Sequence, residues 1–203
     1  MRIRGKGLGS VIREKLVFLS EFVRSPSTVG AIAPSSAGLA REIVAQASFA
    51  ADATVMEFGP GTGVFTGEII RQLGPGGRFV AIERNAQLVP ILQERFPDAV
   101  ICEDSIGNAG KILERHGIGQ VHSIVCGLPW AAFDEATQDD FLETTHASLK
   151  DGGIFVTFAY LQGLLLPAGQ RFKKKITARF SEVRKSRVVW RNLPPAFVYR
   201  CRK

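Results

Sequence analysis

Thr54-Val55-Met56-Glu57-Phe58-Gly59-Pro60-Gly61-Thr62-Gly63, or TVMEFGPGTG, is the stretch that decides how this chain folds. An apolar run of strand character breaks into a turn with glycine at alternate positions, and a helical pattern over about 64–73 follows. A strand that feeds a helix through such a turn is the opening unit of a parallel α/β sheet. Glycine permits the tight turn and lets a ligand approach the backbone closely. Pro60 and Thr62 fill the gaps between the glycines, and Glu57 sets a carboxylate on the strand two places before the first of them.

The alternation continues outward from this turn. Strands are expected at Arg78–Glu83, Ala99–Cys102, Val121–Cys126 and Ile154–Tyr160, with helices at about 86–95, near 105–116 and near 135–148. Their apolar runs are nearly continuous, as parallel strands buried on both faces require, and the crossovers should be right-handed. Upstream, residues 25–35 (SPSTVGAIAPS) read as a loop, and Ser35 or Ser36 is placed to cap a helix over roughly 36–47. Beyond Tyr160 the pattern changes. Pro167 and Gly169 interrupt the apolar Leu161–Leu166, a basic helix is expected over about 170–180, and Val183–Trp190 and Ala196–Cys201 read as a terminal antiparallel pair joined by Arg191–Pro195.

A chain of 203 residues suits one domain with a sizeable core. Residues 1–48 are expected to supply an amphipathic helix, a loop and a cap helix packed on the core, and residues 49–203 the α/β domain. No apolar run reaches the roughly 18–20 residues that cross a bilayer. Arg13, Glu14, Lys15 and Glu21 interrupt the apolar N-terminal segment, which argues against a cleaved signal peptide. Cys102, Cys126 and Cys201 form no CxxC pair, and His116, His122 and His146 are scattered singly. Reduced cysteines in a cytosolic protein, with no metal site, are therefore expected.

The net charge of +7 is unevenly spread, at +4 over residues 1–24, −8 over 25–170 and +11 over 171–203. Basic ends around an acidic middle suggest an anionic partner, either a membrane surface or a nucleic acid. Within residues 8–24, Leu8, Val11, Ile12, Phe18, Leu19, Phe22 and Val23 share one helical face, which either packs on the domain or lies in a lipid interface.

Two more elements follow the glycine turn. Glu83 ends the second strand about 20 residues on, where a carboxylate accepts hydrogen bonds from both hydroxyls of a ribose. Glu103-Asp104-Ser105 follows the third strand; Asp104 is placed to accept from an adenine amino group or to cap a helix. All three elements sit at the C-terminal ends of successive strands, where open α/β sheets bind ligands.

Over about residues 50–160 this pattern resembles the class I S-adenosylmethionine-dependent methyltransferases. The resemblance implies a Rossmann-like, seven-stranded, mostly parallel sheet with a reversed last strand and helices on both faces. It implies S-adenosylmethionine as methyl donor and S-adenosylhomocysteine as product. Gly59, Pro60, Gly61, Thr62 and Gly63 would border the methionine part, Glu83 the ribose and Asp104 the adenine, with Arg84, Ser105 and Ser35 beside them. Glu57 would lie near the sulfonium or amino group.

Cys126-Gly127-Leu128-Pro129-Trp130 ends the fourth strand, where amino-directed methyltransferases hold a short polar-x-x-Pro-aromatic sequence. There a carbonyl or polar side chain accepts from the amine, and an aromatic face stabilises charge developing on nitrogen. Cys126, Gly127 and Trp130 are thus acceptor-site candidates, with a core position the alternative for Trp130. Tyr160, at the end of the fifth strand, is a candidate contact for an amine or phosphate. Phe22–Ser36 (FVRSPSTVGAIAPSS), CGLPW at 126–130 and Asn192–Tyr199 (NLPPAFVY) together resemble the bacterial phospholipid N-methyltransferases, whose core is similar to the rRNA adenine dimethyltransferases. That resemblance implies stepwise methylation of phosphatidylethanolamine towards phosphatidylcholine by a cytoplasmic protein held peripherally on the inner face of the membrane, and argues against nucleic acid as a partner. Cys126 stands where that family usually has Ser, which keeps other amino-lipids such as ornithine lipids open. Methylation of rRNA adenine, with Lys173-Lys174-Lys175 on phosphates, and a non-catalytic nucleotide-binding membrane adaptor are the competing readings.

Overall fold

The computed structural model describes residues 35–203. The expected amphipathic helix at 8–24 and the loop after it lie outside the described residues. Helix α1 (Ala37–Ala47) begins at Ser36, whose side chain accepts from the Leu39 N–H; of the two serines it is Ser36 that caps. Strand β1 (Thr54–Phe58), helix α2 (Val64–Gln72), strand β2 (Arg78–Glu83), helix α3 (Leu88–Arg95) and strand β3 (Val100–Glu103) follow. Next come α4 (Ala109–Arg115), β4 (Val121–Cys126), α5 (Glu135–Ser148), β5 (Leu149–Tyr160), α6 (Pro167–Arg179), β6 (Glu182–Lys185) and β7 (Ala196–Arg202).

The strands form a single seven-stranded sheet in the order β3-β2-β1-β4-β5-β7-β6. β3, β2, β1, β4 and β5 pair in parallel, whereas β7 runs antiparallel to both β5 and β6. The order turns around between β1 and β4, so the crevice where open sheets bind ligands lies at their C-terminal ends. Phe58 and Cys126 are paired there, which brings the glycine turn and the CGLPW loop side by side.

Side chains alternate across each strand. Val55, Val125, Val156 and Val198 pack against Leu39 and Ile43 of α1 and Phe65 and Ile69 of α2. Met56, Phe58, Ile124, Phe155 and Tyr199 pack on the other face against Ile112 of α4, Leu142 of α5 and Phe172 and Ile176 of α6. Burial on both faces accounts for the continuous apolar runs of the sequence. The outer faces of α5 and α6 are stitched by ion pairs with a four-residue period on both helices. Arg171 pairs with Glu135 at 3.3 Å, Lys175 with Asp139 at 2.7 Å and Arg179 with Glu143 at 3.1 Å.

Several boundaries differ from the sequence reading. β5 starts at Leu149 rather than Ile154, with a register irregularity opposite Val121 and Ser123. α6 starts at Pro167, which occupies the first turn where its missing N–H costs nothing. The strand expected over Val183–Trp190 ends at Lys185. Ser186 donates its N–H to the Val198 carbonyl at 2.8 Å and accepts the Val198 N–H on its hydroxyl at 2.9 Å, so a side chain replaces one rung of the ladder. Beyond it a single bridge, Val189 to Ala196, remains.

Candidate functional site

At the turn after β1 the backbone is held from three sides. Gly59 N–H donates to the Ile82 carbonyl at 2.9 Å, Gly63 N–H to the Pro60 carbonyl at 2.8 Å, and Arg95 of α3 donates to the Thr62 carbonyl at 2.6 Å. Gly61 adopts φ +57°, and a Cβ built on it would meet no atom within 4 Å. Its backbone therefore faces open space, as a ligand cradle requires. Gly59 is different, because a Cβ there would come within 2.5 Å of the Leu128 side chain.

Glu83 is nearly buried, at 8% exposure. Its Oε2 accepts the Gly61 N–H at 3.0 Å and its Oε1 accepts the Asn85 N–H at 2.9 Å. Each carboxylate oxygen retains a further acceptor site, enough for two hydroxyls. Asp104 uses Oδ1 twice, for the Ser105 N–H at 2.7 Å and the Asn108 amide at 2.8 Å. The Asn108 bond, then the Ser105 N–H, hold its carboxyl below the usual range, and it stays ionised. The cap of the turn Ile106–Asn108 is Ser105, whose hydroxyl accepts from Gly107. Arg84 is exposed beside Glu83, and Ser35 is the residue before the α1 cap.

Glu57 is fully buried. Thr66 of α2 donates its hydroxyl to Glu57 Oε2 at 2.7 Å, while Oε1 has no partner. Burial, only partly offset by Thr66 and reinforced by nearby Glu83, pushes this carboxyl up to about 8. A buried carboxyl oxygen left open beside a ligand turn suits a cationic ligand, which would restore the charge that burial disfavours.

The CGLPW loop closes the site's other wall and corrects part of the sequence reading. Gly127 N–H donates to the Phe58 carbonyl at 2.8 Å, and a Cβ on Gly127 would lie 2.6 Å from the Gly59 carbonyl oxygen. Gly127 thus lets the acceptor loop lie directly on the cofactor turn. Cys126 is buried, and burial pushes its thiol up to about 12, so it is neither base nor nucleophile. Trp130 is 3% exposed and stacks on Phe172 at 4.9 Å, with Phe133 and Phe155 edge-on. Its Nε1 donates to the Thr157 hydroxyl at 3.1 Å and its carbonyl accepts from Gln138 at 2.8 Å. The aromatic face expected to meet an amine is covered by other aromatics, and Trp130 belongs to the core. Tyr160 does not converge on it. It packs with Phe158 and Val189 on the sheet face that carries α1, opposite the face that buries Trp130.

The sequence reading overlooked the supporting residues Thr66, Asn85 and Asn108, and also Asn192. Asn192 is buried; its Oδ1 accepts the Ser36 N–H at 3.0 Å and its amide donates to the Pro194 carbonyl at 2.7 Å. It ties together two of the segments that carry the lipid-family resemblance. Among the described residues no three His, Cys, Asp or Glu side chains converge as a metal site, and no helix is long and apolar enough to cross a membrane.

Residues 35–102 match the family model for ribosomal RNA adenine dimethylase. The fold is similar to that of an O-methyltransferase from Bacillus cereus solved in complex with SAH, at 13% identity over 98% of this chain and 92% of that one, with a TM-score of 0.65. The chain has the fold of the class I S-adenosylmethionine-dependent methyltransferases. A putative rRNA-methylase from Clostridium thermocellum is similar in fold over 74% of this chain and 87% of that one, at 18% identity and a TM-score of 0.57. The chain is also 28% identical over 194 residues to the ornithine lipid N-methyltransferase of Singulisphaera acidiphila, covering 94% of this chain and 97% of the relative.

The residues present fit the donor. The open backbone at Gly61, the spare acceptor sites of Glu83 and Asp104 Oδ2, and the unpartnered Oε1 of Glu57 would hold its methionine, ribose, adenine and cationic parts in turn. When bound, S-adenosylmethionine supplies a methyl group already activated on sulfur. The protein's own contribution is alignment: the Gly59–Gly127 contact fixes the distance between donor turn and acceptor loop.

Proposed function

We propose that this protein is an S-adenosylmethionine-dependent methyltransferase that acts on the amino headgroup of a membrane amino-lipid, at the inner membrane surface to which it binds peripherally. The similarity to an ornithine lipid N-methyltransferase along nearly the full length of both chains carries this reading. It spans 94% of this chain, well beyond the residues 35–102 that an rRNA adenine dimethylase model also matches. The phospholipid-family segments favour phosphatidylethanolamine and its mono- and dimethyl derivatives as acceptors, leading to phosphatidylcholine. The relative's own name favours ornithine lipid as the second reading.

The covered face of Trp130 shifts the chemistry onto the backbone. Carbonyls of the Gly127–Pro129 loop are left to accept from a neutral amine, because Cys126 is a protonated thiol. The test is methyl transfer from radiolabelled S-adenosylmethionine, using the full chain with anionic vesicles containing phosphatidylethanolamine, with vesicles containing ornithine lipid, and with undermethylated ribosomal RNA. Label in a lipid amine supports the proposal and identifies the acceptor. Label in RNA alone overturns it.

A further inference from the structure

Helix α6 carries two sets of cations with different fates. Arg171, Lys175 and Arg179 are neutralised by the acids of α5. Lys173 and Lys174 point away from α5, and among the described residues neither has a carboxylate partner, nor does Lys185 on β6. These three exposed lysines border a groove of about 710 Å³ between α6 and the edge strand β6, lined also by Leu164, Gln170 and Thr177. The Lys185 ammonium stands over the rings of Phe197 and Tyr199, at 5.3 Å and 5.9 Å, and these cation–π contacts hold it at the groove's rim.

The groove's upper end meets exposed apolar side chains. Leu165 is 82% exposed and Leu166 54%, on the connection that follows Tyr160. Trp190 is 66% exposed and Leu193 75%, on the connection leading into Ala196. Tyr160 pairs with Ala196, and the Leu161 N–H donates to the Pro195 carbonyl at 2.9 Å. Both connections therefore lie together at the C-terminal end of β5, the end of the sheet that carries the cofactor turn. Unpaired lysines next to the exposed Leu165 and Leu166 match an anionic lipid surface, which offers phosphate at the depth of the lysines and hydrocarbon just beyond.

We propose that this groove binds the phosphate ester of an anionic lipid, with Leu165 and Leu166 entering the apolar layer beside it, and so holds the catalytic edge of the sheet against the membrane. The choice of occupant rests on the amino-lipid reading. Nucleic-acid phosphate would satisfy the lysines but not the leucines.

The experiment floats the full chain with phosphatidylcholine vesicles, with and without phosphatidylglycerol. Lys173→Gln/Lys174→Gln/Lys185→Gln is compared with Lys111→Gln/Lys150→Gln/Arg202→Gln, which removes the same charge from other faces. Partitioning onto the anionic vesicles is expected to fall roughly tenfold or more for the groove variant and far less for the control. Leu165→Ser/Leu166→Ser should weaken it as well. Equal losses in groove and control variants would make the effect diffuse charge and overturn the proposal. Competition by inorganic phosphate with no effect of the leucine variant would also overturn it, in favour of a free-phosphate site. A loss confined to an RNA oligonucleotide would do the same. Methyl transfer by the wild-type protein separates the two readings. If it methylates a lipid amine while the groove variant floats normally, the groove falls alone. If it methylates no lipid yet the groove variant loses vesicle binding, the groove stands and the amino-lipid function falls.

Discussion

The Glu83 carboxylate accepts the Gly61 N–H at 3.0 Å across 22 residues of sequence. The glycine turn and the end of β2 are thereby one device, set before any cofactor arrives. Glu83→Gln should keep the fold and lose the charge that strengthens two ribose hydrogen bonds. Titration calorimetry with S-adenosylhomocysteine should show affinity lower by roughly 100-fold, at about 1.5–3 kcal/mol per charged hydrogen bond. Unchanged affinity would remove Glu83 from the ribose site.

Glu57 makes the protein pH-sensitive in a defined sense. Its carboxyl is raised by burial from 4.5 to about 8, so the folded state holds it neutral and its stabilising effect is complete below the unfolded value. Stability of the cofactor-free protein should therefore decline as pH rises between about 4.5 and about 8, by on the order of 5 kcal/mol at roughly 1.4 kcal/mol per unit. Denaturant titrations of wild type against Glu57→Gln should show this slope in the wild type only. Cofactor affinity should move the opposite way, rising through the same window, because a bound cation favours the ionised carboxylate. A wild-type slope matching that of Glu57→Gln would refute the assignment.

Trp130 tests whether the aromatic of the CGLPW loop is structural. Trp130→Phe loses the 3.1 Å bond to Thr157 but keeps an aromatic against Phe172. It should cost about 1 kcal/mol of stability and leave kcat and KM within roughly threefold. Trp130→Ala should cost about 3–5 kcal/mol by opening a cavity. A large kcat loss in a stable Trp130→Phe protein would return the ring to the acceptor site.

Much of the fold was legible because its signals are local. β1, β2 and β4 lie where their apolar runs end, and the glycine turn, Glu83 and Asp104 fall at the strand ends that periodicity places together. The boundaries that moved depend on partners. The expected strand 183–190 stops at Lys185 because Ser186 takes over a rung from Val198, a choice a β-rich run of residues does not reveal.

By itself, the sequence determined the order of strands and helices, the cofactor turn with its acidic partners, and the asymmetry of charge, since each rests on residues near in sequence or on simple period. The tertiary structure alone decided which of those residues meet. It turned Trp130 into the core, sent Tyr160 to the opposite face, and pressed Gly127 onto Gly59. It also paired one row of α6 cations with α5 and left Lys173, Lys174 and Lys185 around an open groove. The physical reason is that burial and charge pairing depend on which face of an element its neighbours cover, and that is fixed only when the helices settle on the sheet.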